Sequence, residues 1–179
     1  MTGKTIILNF ILELRERYFS GESILTDRTQ LVWDNSKIIA VVRVSDMGDL
    51  DEIDRLNNEL KLKFRNVEIL VVNLVENISP EKNDYKILSY SDFSITGKPD
   101  KSLSDYFSES NTDLIINLIA DPGIFERHII RSLPARYKVG RKGGDLLDIY
   151  DIIIDSNSDN KLEIVSQAKH YINNLNINR

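Results

Sequence analysis

Between Lys37 and Leu74 the chain spells out one β-α-β unit, and no other feature restricts its fold as tightly. Lys37 to Val44 is almost continuously apolar and runs into a polar turn, Ser45-Asp46-Met47-Gly48-Asp49. Leu50, Ile53, Leu56, Leu60 and Phe64 then fall at helical spacing. Asp51, Glu52 and Asp54 come early in that stretch and Lys61, Lys63 and Arg65 late, which complements the helix dipole. Val67 to Leu74 is a second apolar run. Runs rich in β-branched residues that do not alternate with polar ones are strands covered on both faces, as in parallel sheets.

The pattern repeats along the chain. Leu114 to Ile119 and Ile152 to Ile154 read as further strands, with weaker ones at Lys86-Ile87-Leu88 and Arg136 to Val139. Helical stretches alternate with them. Ser102 to Phe107 follows Pro99. Asp121-Pro122 reads as an N-cap with proline at the first helical position, opening a helix to about Leu133 that Pro134 stops. Leu162, Val165, Ala168, Ile172 and Leu175 mark a last helix, capped near Ser158 or Asp159. The spacing predicts an α/β fold: a three-layer sandwich, Rossmann-like, with a mostly parallel sheet, helices on both faces and right-handed crossovers. One domain is expected over residues 1–179, with an N-terminal helix over 4–19 and a frayed tail from about 176 to 179.

The N-terminal stretch has a charged continuation, Glu13 to Arg17, and no small-residue cleavage site, so it is not read as a secretion signal. It is too short to span a bilayer. Ile6, Ile7, Phe10, Ile11, Leu14 and Tyr18 are assigned to one helical face. That face would pack on the core or form a dimer, the alternative being a helix on a membrane surface. Gly21 stands where a C-cap glycine belongs.

Composition excludes several chemistries. The net charge is −5, so a general nucleic-acid-binding role is not expected. Cysteine is absent, which rules out disulfides, thiolate nucleophiles and cysteine-ligated metal, and fits a reducing, cytoplasmic setting. His128 and His170 have no histidine four residues on, so no metal site is assigned, and no cofactor is identified. No Gly-x-Ser-x-Gly, P-loop or Gly-x-Gly-x-x-Gly motif occurs. Trp33 reads as packing. Asn77-Ile78-Ser79, in the polar loop from Glu76 to Asp84, matches a glycosylation sequon that means little without a secretion signal.

In open α/β sheets, ligands bind beyond the carboxyl ends of the strands, and that rule selects the candidates. Asp46 and Asp49, in the turn after the first strand, would serve as a general base or cation ligand in an enzyme, or otherwise as caps. A basic cluster lies between 127 and 142, with Arg127, Arg131, Arg136, Lys138, Arg141 and Lys142 against one neighbouring acid, Glu126. Together with Gly140, Gly143 and Gly144 it would hold a phosphate, nucleotide or acidic partner, or else form a solvated, charged edge. Ser89 to Pro99 gathers hydroxyls, Asp92 and Lys98 between aromatic residues. It reads equally as a binding loop and as plain turn chemistry.

Two resemblances add to this. Lys37 to Asp49, with Leu56 to Ile69, Thr112 to Leu118 and Pro134 to Arg141, resembles the N-terminal half of the heptosyltransferases of lipopolysaccharide synthesis. In that family an Asp in the first loop is the proposed base, which the resemblance places at Asp46 or Asp49. The family's second domain, which carries the nucleotide-sugar site, has no matching segment here. The second resemblance covers nearly the whole chain. The order of the N-terminal charged helix, Asp92 to Pro99, Thr112 to Leu118, Ala135 to Gly140 and Tyr150 to Asp155 is similar to an uncharacterised family of small bacterial α/β proteins. It implies the fold and no activity.

The reading that follows is a non-catalytic α/β binding module for a small anionic ligand or a protein partner. Arg136, Lys138, Arg141 and Lys98 would hold anionic groups, with Asn117 lining the crevice. The alternatives are an enzyme, or half of a partner-dependent one, acting on a nucleotide-activated or phosphorylated sugar through Asp46 and Asp49, and a structural protein that forms a homodimer through its N-terminal helix.

Overall fold

The structure, a computed structural model, describes residues 3–18, 31, 36–45, 49–74, 85–142, 148–156 and 158–177. Trp33, Asp46, Gly48, Gly21, the 76–84 loop, Gly143, Gly144 and the last two residues lie outside them. Among the described residues six strands form one sheet: β1 (Ile38–Val44), β2 (Val67–Asn73), β3 (Lys86–Ser89), β4 (Leu114–Asn117), β5 (Tyr137–Arg141) and β6 (Ile152–Ile154). Every pairing is parallel and the order is β3-β2-β1-β4-β5-β6, the doubly wound arrangement. Order reverses between β1 and β4, where Ile38 sits beside Leu114 and Val41 beside Asn117.

Among the described residues five helices cover the sheet: α1 (Gly3–Tyr18), α2 (Asp49–Lys63), α3 (Lys101–Glu109), α4 (Ile124–Ser132) and α5 (Lys161–Ile177). Side chains alternate across β1. Ile38, Ala40, Val42 and Val44 enter one core with Ile53, Leu56 and Leu60 of α2 and Ile164, Val165, Ala168 and Ile172 of α5. Ile39 and Val41 enter the other, with Leu8 and Leu12 of α1, Leu103 and Phe107 of α3, and Phe125, Ile129 and Ile130 of α4. Both faces are buried, which is why these strands read as unbroken apolar runs.

Four local expectations are corrected. The fourth strand ends at Asn117 rather than Ile119, because the Asn117 side chain accepts from Ile119 N at 3.1 Å and turns the chain. Helix α4 is flanked by Gly123 instead of Asp121, whose carbonyl is taken by Arg43. Helix α5 is capped by Asn160, whose Oδ1 accepts from Leu162 N at 3.0 Å, rather than by Ser158 or Asp159. Helix α1 is rotated from the predicted face. Thr5, Leu8 and Leu12 are buried, while Ile6, Ile7, Phe10 and Leu14 are exposed. No helix among the described residues is long and apolar enough to cross a membrane.

Candidate functional site

The predicted site residues do not form one crevice. Arg136 precedes β5 at the amino edge of the sheet, where its Nε lies 3.3 Å from Asp113 Oδ1. Asp113 also accepts from Lys37 N at 2.9 Å, so the pair ties β1, β4 and β5 together. Asp49 stands at the opposite, carboxyl edge. Its Oδ2 accepts from Ser45 N at 2.6 Å, closing the turn that opens α2. The length of the sheet separates Asp49 from Arg136.

Of the remaining candidates, Lys138, Arg141 and Asn117 are engaged within the fold. Lys138 turns under α4, and its Nζ donates to the carbonyls of Ile130 and Arg131 at 2.8 and 3.0 Å, capping the helix C-terminus. Burial pulls its ammonium down to about 8, against the pull of Asp151. Arg141 donates to the Ser156 carbonyl at 3.1 Å. Lys142 pairs with Asp155 at 2.7 Å. Asn117 is buried; its amide donates to Ile119 O and to Tyr150 Oη at 2.8 Å. Burial pushes the Tyr150 phenol up to about 12. Lys98 is exposed in a turn where Ser94 and Asp92 make local backbone bonds. The stretch is anchored by Phe93 and Tyr90 against Phe125.

At the switch point, Arg43 crosses from β1 to the connection after β4. Its Nε donates to buried Glu126 Oε1 at 2.5 Å and its guanidinium to Asp121 O at 2.7 Å. This lacing occupies the place where a ligand enters many sheets of this kind. Among the described residues no group of three His, Asp or Glu side chains is arranged to hold a metal ion.

The cations converge instead between α1 and α4. A cavity of about 320 Å³ is lined by Leu12, Arg15, Glu16, His128 and Arg131. Glu16 accepts from both Arg127, at 2.8 Å, and Arg131, at 3.4 Å. Arg131 also reaches Asp148 at 2.9 Å. Arg15 makes no ion pair among the described residues. His128 Nε2 lies 2.7 Å from the carbonyl of Gly97, so Nε2 carries the proton and Nδ1 keeps its lone pair. Burial lowers the His128 pKa; the Gly97 bond opposes this, and Arg15 and Arg131 add to it. Gly97 has φ +77°, and a Cβ there would come 2.7 Å from Leu12 Cδ2 and 3.3 Å from His128 Nε2. Only glycine fits this turn against both helices. His128 and Arg131 fell within the basic stretch of the sequence. Arg15 had no signal, because His128 and Arg131, which it meets across the cavity, lie far along the chain.

A family profile matches residues 25–175, which takes in the whole sheet and the helices after α1. The chain belongs to DUF6913, a family of unknown function. Arg15 and Glu16 precede the matched stretch. A glycosyl transferase family 9 structure from Veillonella parvula DSM 2008 is similar in fold, with a TM-score of 0.53 and 14% identity. The likeness covers 77% of this chain and 42% of that one, so the chain spans about two fifths of that protein's length. No curated protein matches the chain.

Proposed function

We propose that the protein is a non-catalytic binding module for a small anion, with its site in the cavity between α1 and α4. One observation carries the reading: Arg15, His128 and Arg131 converge on a space of about 320 Å³. Two guanidiniums, joined by the imidazole once its Nδ1 is protonated, are a donor set suited to a phosphate or carboxylate group. The space exceeds an inorganic ion, so the ligand class is a small phosphorylated or carboxylated metabolite. Glu16 is the one carboxylate in the lining and is held by two arginines, which leaves no free base to work with the imidazole. This favours binding over catalysis.

Affinity should depend on pH. The groups facing the imidazole are Arg15 and Glu16 on α1, Arg131 on α4 and the Gly97 carbonyl. An anion offsets the repulsion of the arginines and favours protonated His128. Binding therefore tightens as pH falls below 6.5. The test is isothermal titration with inorganic phosphate and a panel of sugar phosphates at pH 7.5 and 5.5. The reading expects binding that is stronger at the lower pH and falls at least tenfold in Arg15→Glu. Absence of binding at both pH values, or binding indifferent to Arg15→Glu, overturns it.

A further inference from the structure

Helix α1 has two apolar sides. Thr5, Leu8 and Leu12 are buried against the body of the protein. At 100° per residue, Ile6, Ile7, Phe10 and Leu14 fall on the opposite side. Their exposures are 58, 48, 60 and 39%. Isolated exposed apolar residues are ordinary, but four on one stripe mark an interaction surface.

The stripe is self-complementary. Ile6, Phe10 and Leu14 are spaced four apart and form one of the ridges by which helices pack together. A two-fold axis through Phe10 lays Ile6 of one copy over Leu14 of the other and Phe10 beside Phe10. Such symmetry is what an interface between identical chains requires. Beside the ridge, toward α4, lies an open groove of about 540 Å³, lined by Ile6, Asn9, Phe10, Glu13, Ile124 and Arg127, with Glu16 at its end. It has room for an aromatic ring. Each copy thus offers a projecting phenyl group and a hollow beside it.

We propose that a second copy of this chain docks antiparallel on α1, with Phe10 at the two-fold axis and the Ile6–Leu14 ridges packed against each other. The four side chains expose roughly 400 Å² per copy, about half of the ~800 Å² per partner of a standard stable interface. The dimer is therefore modest, with a dissociation constant on the order of micromolar. A lipid surface is the poorer occupant, because the chain carries a net charge of −5 and the groove contains two carboxylates.

Sedimentation velocity from about 1 to about 200 µM tests the proposal. The wild type should move from monomer to dimer across that range. Phe10→Glu should stay monomeric throughout with unchanged circular dichroism, since Phe10 is exposed in the monomer. The absence of cysteine allows a second, positional test. Under mild oxidation Phe10→Cys should form a covalent dimer, because groups on the axis approach within disulfide reach. Leu62→Cys, on the exposed side of α2, should not. A wild type that stays monomeric overturns the proposal. So does a dimer that survives Phe10→Glu, or a Phe10→Cys protein that dimerises without cross-linking. Sedimentation of the monomer with anionic phospholipid vesicles would assign the stripe to a membrane instead.

Discussion

The two faces of the sheet are built from the same strands and hold different chemistry. The face under α2 and α5 is largely aliphatic, with Ile38, Ala40, Val42, Leu60, Ile69, Val71, Ile116 and Ile164 packed together and Tyr85 and Asn57 as its buried polar members. The face under α1, α3 and α4 also buries or half-buries Glu126 against Arg43, Asn117 against Tyr150, His128 against Gly97 and Lys138 against the end of α4. Alternation along β1 sorts them: Arg43 points with Ile39 and Val41, away from Val42 and Val44. One face supplies bulk burial and tolerates any shape that fills it. The other depends on specific partners, and the cavity lies there.

Substitutions on the two faces test this contrast. The largest effect is expected on the aliphatic face: Leu60→Ala empties a fully buried site and should cost about 3 kcal/mol in denaturant unfolding. The loss should be equal at pH 5.5 and 8, and a pH-dependent loss would blur the distinction. Gly140→Ala comes next. A Cβ there would sit 2.5 Å from the Cε1 and Cε2 atoms of Tyr150, so the ring must leave and release Asn117. About 2 kcal/mol is expected, together with a loss of the near-ultraviolet tyrosine signal.

Glu126→Gln preserves shape and removes the charge that faces Arg43. It should cost about 1.5 kcal/mol in denaturant unfolding, because the guanidinium of Arg43 loses its charged partner. The smallest effect belongs to His128. Its pKa is lowered in the folded state, so below pH 6.5 the unfolded chain binds more protons. Stability contributed by the neutral ring is complete above 6.5 and lost as pH falls through the folded value. Thermal midpoints of wild type and His128→Gln between pH 7.5 and 5 should therefore converge on the acid side.

Much of the fold was legible because it is local. Unbroken apolar runs gave β1, β2, β4 and β6 to within two residues, and the β1-α2-β2 unit fixed the parallel class. The face of α1 was not legible. The helix is apolar on two sides, so spacing alone does not choose between Leu8–Leu12 and Ile6–Phe10–Leu14. The site was legible in part. Basic residues 127–142 stand out in an acidic chain, yet what each does depends on distant partners: Glu16 for Arg127, Asp113 for Arg136, the end of α4 for Lys138. Asn117 reads as a site residue from its strand-end position. Only the neighbouring Tyr150 shows that its amide is already spent inward.

The most direct test of the anion site is the titration of the His128 ring, followed by imidazole NMR with and without inorganic phosphate. His170→Gln leaves one histidine signal to follow. The free protein should titrate below 6.5, and phosphate should raise that midpoint, with the rise abolished in Arg15→Glu. A His128 midpoint that phosphate does not move would contradict an anion held between α1 and α4.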